Sequence, residues 1–138
     1  MKRCVLFIGA VLALLSTAVP AQVGGVDVEL NKLQQVDDAC RAYLVTQNLT
    51  DTDFKSMQLD IVMFDDDGIA AKRLAVEIGP LAADKTSLKV FDIGGLPCEN
   101  IGQLLLNNVL QCQDSEGKRD DCLALIHVSS RGKVAFIN

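Results

Sequence analysis

Residues 57–69 read MQLDIVMFDDDGI, and the way this stretch divides decides the fold. Met57, Leu59, Ile61 and Met63 alternate with Gln58, Asp60, Val62 and Phe64. Side chains along a strand point to opposite faces in turn, so the first set faces a core. Val62 and Phe64 extend the burial to both faces at the strand's end. FDDDG then reverses the chain: aspartates at the early positions and Gly68 where φ is positive suit a tight hairpin. Residues 69–78 read as the return strand, with Lys72 and Arg73 near an exposed rim. Gly79-Pro80 ends it, because proline brings no N–H to a ladder.

Upstream, Val26-Asp27-Val28-Glu29-Leu30 alternates, and CRAYLVTQN (40–48) follows the Asp37-Asp38 pair, which reads as a first hairpin. Leu30, Leu33 and Val36 would equally form a helical stripe, and so short a run leaves both open. NLTDTD (48–53) is a polar turn; its Asn48-Leu49-Thr50 also meets the N-glycosylation rule. Downstream, residues 81–86 connect to a strand at 88–93 (LKVFDI), and Gly94-Gly95-Leu96-Pro97 breaks the chain. In IGQLLLNNVLQC (101–112), Leu104, Leu106, Leu110 and Cys112 share a strand face. Ile101, Leu104, Leu105, Val109 and Cys112 would share a helix face. Gly102 and Asn107-Asn108 sit poorly in a helix interior, which favours the strand. CLALIHVSS and KVAFI flank Arg131-Gly132 as a terminal hairpin. With no repeat and no long linker, the chain reads as one all-β domain. The expected form is an antiparallel β-sandwich of about seven strands, with room for one short helix.

A strand ending in Val45-Thr46-Gln47-Asn48, a polar turn, LDIVMFDDDG continuing into Ile69, and a leucine-bearing connection into LKVFDI occur here in that order. The series resembles the FxLYD-type domains and related immunoglobulin-like modules of exported bacterial proteins, over residues 28–93. The resemblance implies an immunoglobulin-like sandwich with an accessory or binding role, and it carries no catalytic residues. The four cysteines and the longer part after Pro97 depart from that pattern.

The first residues read as a secretory leader. Lys2 and Arg3 precede an apolar run from Val5 to Leu15, and Val19-Pro20-Ala21 places small residues where a signal peptidase cuts. The run is well short of the roughly 20 apolar residues a membrane span needs. Cleavage after Ala21 removes residues 1–21 of 138 and leaves residues 22–138 as a single domain of 117 residues. Lys2 and Arg3 go and no acid does, which takes the net charge from −5 to −7. An anionic surface of this kind speaks against nucleic acid or an acidic membrane as partner.

Cys40, Cys98, Cys112 and Cys122 remain, an even number suited to disulfides in an oxidising compartment, the periplasm or the exterior. Three pairings are open. The favoured one joins Cys112 to Cys122, closing the acidic loop 113–121, and Cys40 to Cys98, stapling an early strand to a later turn. A zinc site is disfavoured because no two cysteines have the short spacing of structural zinc ligands.

Chemistry is sparse. His127 is the only histidine; it lies on an expected strand, sharing a face with Leu123 and Leu125, and reads as structural. Asp65, Asp66 and Asp67 invite calcium, yet adjacent aspartates lack the alternate spacing of a calcium loop and suit a turn better. Tryptophan is absent and Tyr43 is the only tyrosine, so an aromatic stacking groove is not expected. No catalytic residue, cofactor or metal is assigned. The sequence therefore points to an exported, non-catalytic accessory or protein-binding module whose partner is another envelope or secreted protein. The alternative is a small-ligand or calcium binder using Asp65–Asp67 or the 113–121 loop.

Overall fold

The computed structural model describes residues 24–138; the expected leader and its cleavage point lie outside them. Nine strands form among the described residues: β1 (Val26–Val36), β2 (Ala39–Asn48), β3 (Ser56–Phe64), β4 (Ala70–Glu77), β5 (Thr86–Ile93), β6 (Gln103–Asp114), β7 (Gly117–Lys118), β8 (Ile126–Ser130) and β9 (Ala135–Ile137). Sheet one has the order β5-β2-β1-β8. Sheet two has the order β4-β3-β6-β7, with β9 also on β6. The helical content among these residues is two 3-10 turns, Cys98–Asn100 and Cys122–Leu125, in place of the short helix allowed for.

The β3–β4 hairpin forms as its sequence requires. Asp65 N–H donates to Ile69 O at 2.9 Å, and Gly68 takes a φ of 77° that a side chain would oppose. Met57, Leu59, Ile61 and Met63 are all fully buried. They face Val28, Leu30, Ala42 and Leu44 of sheet one within a single apolar core.

Two segments that could have been helices are strands with bulges. In β1 the pairing passes from Leu30↔Leu44 to Lys32↔Tyr43 and skips Asn31. One extra residue flips the parity of the rest of the strand, so Leu30 and Leu33 both turn inward at a helix-like spacing of three. In β6 the register shifts twice against β3, skipping Asn107 and Leu110. Leu110 is therefore not on the face of Leu104 and Leu106, as strict alternation implied, and is 45% exposed.

The sandwich is not purely antiparallel, and its last two strands are not a hairpin. Residues 122–125 form a 3-10 turn; β8 then pairs parallel with β1, from Val26↔Ile126 to Leu30↔Ser130. Arg131 N–H donates to Leu30 O at 3.0 Å, and the chain crosses to sheet two, where β9 pairs parallel with β6. The Arg131-Gly132 break joins two sheets instead of two neighbouring strands. Alternation within each strand is satisfied either way, so local pattern cannot separate the two outcomes.

Candidate binding surface

The four cysteines pair as Cys40–Cys98 and Cys112–Cys122, with Cα separations of 4.8 and 6.5 Å. The first bond ties β2 to the turn after β5; the second ties β6 to the turn before β8. These sulfurs hold elements together and offer no thiolate.

The acidic loop 113–121 is organised around Arg119. Its guanidinium forks onto Asp121, at 2.9 Å from Nε and 2.7 Å from Nη2, and also reaches Asp114 at 3.4 Å. It lies 5.4 Å from the centre of the buried Phe54 ring. The hydrogen bond from Arg119 draws the Asp121 carboxyl below its usual range. The loop is thus an ion-paired hairpin, not a free acidic display.

Asp65 uses its side chain on its own turn: Oδ1 accepts from Asp67 N–H at 3.0 Å and from Ile69 N–H at 2.9 Å. Asp66 and Asp67 face solvent. Among the described residues, no group of three or more His, Cys, Asp or Glu is placed to hold a metal ion. His127 does not share a face with Leu123 and Leu125, since these lie in the 3-10 turn. It is exposed beside Asp27, its partner across the β1–β8 ladder. Asn48 is wholly buried. Its Nδ2 donates to Thr52 O at 2.8 Å and to Leu81 O at 3.2 Å, while Oδ1 accepts from Thr50 N–H at 3.1 Å and Thr50 Oγ1 at 2.6 Å. The sequon asparagine is the internal clasp of the 48–53 turn.

The feature most unlike a solvated surface is the outer face of sheet one. Register sets its rows: Leu88, Val45 and Glu29; Val90, Tyr43 and Lys32; Asp92, Arg41 and Gln34. Leu88 and Val90 on β5 are 58% and 48% exposed, and they adjoin the half-buried Val45 and Tyr43 across the ladder. The Lys32 ammonium stands 5.1 Å from the Tyr43 ring centre, and Tyr43 O–H donates to Gln34 at 2.9 Å. These contacts fix the ring at the middle of the face.

Ion pairs rim the apolar strip. Arg41 forks onto Asp92, at 2.7 Å from Nε and 3.0 Å from Nη2, and its hydrogen bonds lower the Asp92 carboxyl. Glu29 Oε1 accepts from Asn31 at 2.9 Å and from Arg131 at 3.0 Å; both bonds lower its carboxyl, Asn31 foremost. The face thus combines exposed apolar side chains, a hydrogen-bonded tyrosine and a charged rim. His127 and Ser129 of β8 lie on the same face, beside Asp27 and Glu29. The surface was not foreseen from sequence, because Leu88 and Val90 gain their meaning only when β5 lies beside Val45 and Tyr43 of β2.

No family model matches the chain, and no curated protein matches it. Among solved structures, the chain is similar to the one described as "Structural characterization of IrmA from Escherichia coli". The identity is 12% and the TM-score 0.57, over 75% of this chain and 90% of that one. At that identity the likeness is one of fold. No helix of the described residues is long and apolar enough to cross a membrane.

Proposed function

We propose that this chain is an exported, non-catalytic binding module that engages another envelope or secreted protein through the outer face of sheet one. The observation that carries the reading is the pair Leu88 and Val90, both apolar and both more than two-fifths exposed beside Tyr43. Two disulfides fit an oxidising compartment, periplasmic or extracellular, as does the leader-like start of the sequence. Kinship with immunoglobulin-like modules is part of the proposal. The order β5-β2-β1 over β4-β3-β6 is the one that strands E-B-A over C′-C-F would have in such a sandwich.

The test is capture from the native envelope and secreted fractions with immobilised wild-type protein and a Leu88→Glu/Val90→Glu variant of unchanged melting temperature. The reading expects a partner retained by the wild type and lost by the variant. Equal capture by both, or none above background by the wild type, refutes it. The alternative of a small-ligand or calcium binder gains no support from Asp65, one of whose carboxylate oxygens already serves its own turn.

A further inference from the structure

Two strands leave an edge open on the same side of the sandwich: β5 ends sheet one and β4 ends sheet two. Open edges carry unsatisfied N–H and C=O groups and are templates for pairing with another chain. Here the side between them is a shallow groove of about 250 Å³ whose lining includes Leu74 and Phe91, both packed against the core. Apolar residues beside free backbone are what an added strand would use.

Each edge, however, carries one lysine at a core-facing position. Lys72 pairs with Met63, and Lys89 pairs with Leu44; both partners are fully buried in the core. Paired residues share a face, so both lysines start from the inner side. They escape burial by running across the opening. Lys72 Nζ donates to Gly94 O, just past the end of β5. Lys89 Nζ donates to Gly79 O, just past the end of β4, at 3.3 Å. The two side chains thus strap the open side in opposite senses.

We propose that Lys72 and Lys89 are a pair of gatekeepers that close the β4–β5 side against strand addition and keep the chain from pairing edge to edge with its own copies. A strand docking there would have to displace both ammonium groups from their carbonyls and bury them beside Leu74 and Phe91, at the cost of desolvating a charge. A valine or threonine at either position would suit the local pattern better, which marks the lysines as serving something other than the core. The proposal is independent of the outer-face reading.

The experiment is sedimentation of the full, oxidised domain over a wide concentration range, comparing wild type, Lys72→Thr/Lys89→Thr and Lys72→Arg/Lys89→Arg, with circular dichroism as the fold control. Wild type and the arginine pair are expected to stay monomeric. The threonine pair is expected to self-associate, at least doubling its weight-average mass at high concentration. A folded threonine variant that sediments as the wild type does overturns the proposal. If that variant fails to fold, hydrogen exchange on the wild type decides. Open-side amides of β4 and β5 that exchange freely at every concentration support the gate, and protection that grows with concentration overturns it.

Discussion

Arg73 forks onto Asp60 across the β3–β4 ladder, donating from Nε at 2.6 Å and from Nη2 at 2.7 Å. The arginine side chain is 64% exposed and the carboxylate only 2%. Asn107, bulged out of β6, adds a third donor at 2.7 Å. Asp60 sits on the outer face of sheet two, opposite the core, and is buried there with these two side chains bonded to it.

The pair gives stability a defined pH dependence. Hydrogen bonds from Arg73, and then from Asn107, hold the folded Asp60 carboxyl below its ordinary value of 3.8. A depressed folded value means the contribution is full above the unfolded value and is lost as pH falls through the folded one. Arg73→Met should cost roughly 1–3 kcal/mol at neutral pH, the range for depriving a buried group of its partner. The deficit should shrink as pH falls through the folded Asp60 value, where the wild type loses the same contribution. Urea melts at neutral pH and across the acid range check both; a deficit that stays constant into acid would contradict the assignment.

The two disulfides should differ in worth. They close loops of 58 and 10 residues, and chain entropy lost on closure grows with the logarithm of loop length. Replacing Cys40 and Cys98 by alanine should therefore cost about 4.2 kcal/mol, against about 2.7 kcal/mol for Cys112 and Cys122. Denaturant midpoints of the two double variants give the order. Thiol titration of oxidised protein lacking residues 1–21 should find no free sulfhydryl.

Asn48→Asp should be severe although nearly isosteric. Nδ2 faces two carbonyl oxygens, so an aspartate oxygen there would meet acceptors with nothing to donate. A loss of roughly 2–4 kcal/mol is expected for a charge buried without a partner. Thr50→Ala, which removes the hydroxyl that donates to Oδ1, should cost less. Thermal melts of both variants provide the comparison.

Arg119→Gln should loosen the 113–121 hairpin while leaving the sheets intact. Glu116 lies at the tip of that hairpin, between Asp114 and Gly117. A glutamyl endoprotease should cut there several-fold faster in the variant than in the wild type. The products should stay joined by Cys112–Cys122 until reduced.

Two hairpins were legible in this fold, because their signals are local. The Asp65-Asp66-Asp67-Gly68 turn and the alternation of β3 are written in adjacent residues, and the reversal at Asp37-Asp38 is as plain. Both disulfide pairings were also legible, one from the short loop it closes and one from the strand and turn it had to join. The parallel placements of β8 and β9 were not, since Val26↔Ile126 and Gln103↔Ala135 join residues far apart in the chain. Bulges hid in the same way. Skipping Asn31 made Leu30 and Leu33 look helical, and skipping Asn107 and Leu110 mixed the faces of β6. Asp60 read as an ordinary outward position because its roof comes from two other strands. The exposed apolar strip on sheet one was invisible for the same reason, needing β5, β2 and β1 side by side.

The crossing of β8 and β9 has a consequence for the order of assembly. Residues 126–130 complete the sheet of the first strand, and residues 135–137 complete the other sheet. Neither layer is complete until residues 126–137 have joined it, and pairings between distant residues are slow to form. Both layers therefore depend on one short stretch of chain docking in two places. Deleting residues 126–138 would strip an element from both layers in one step.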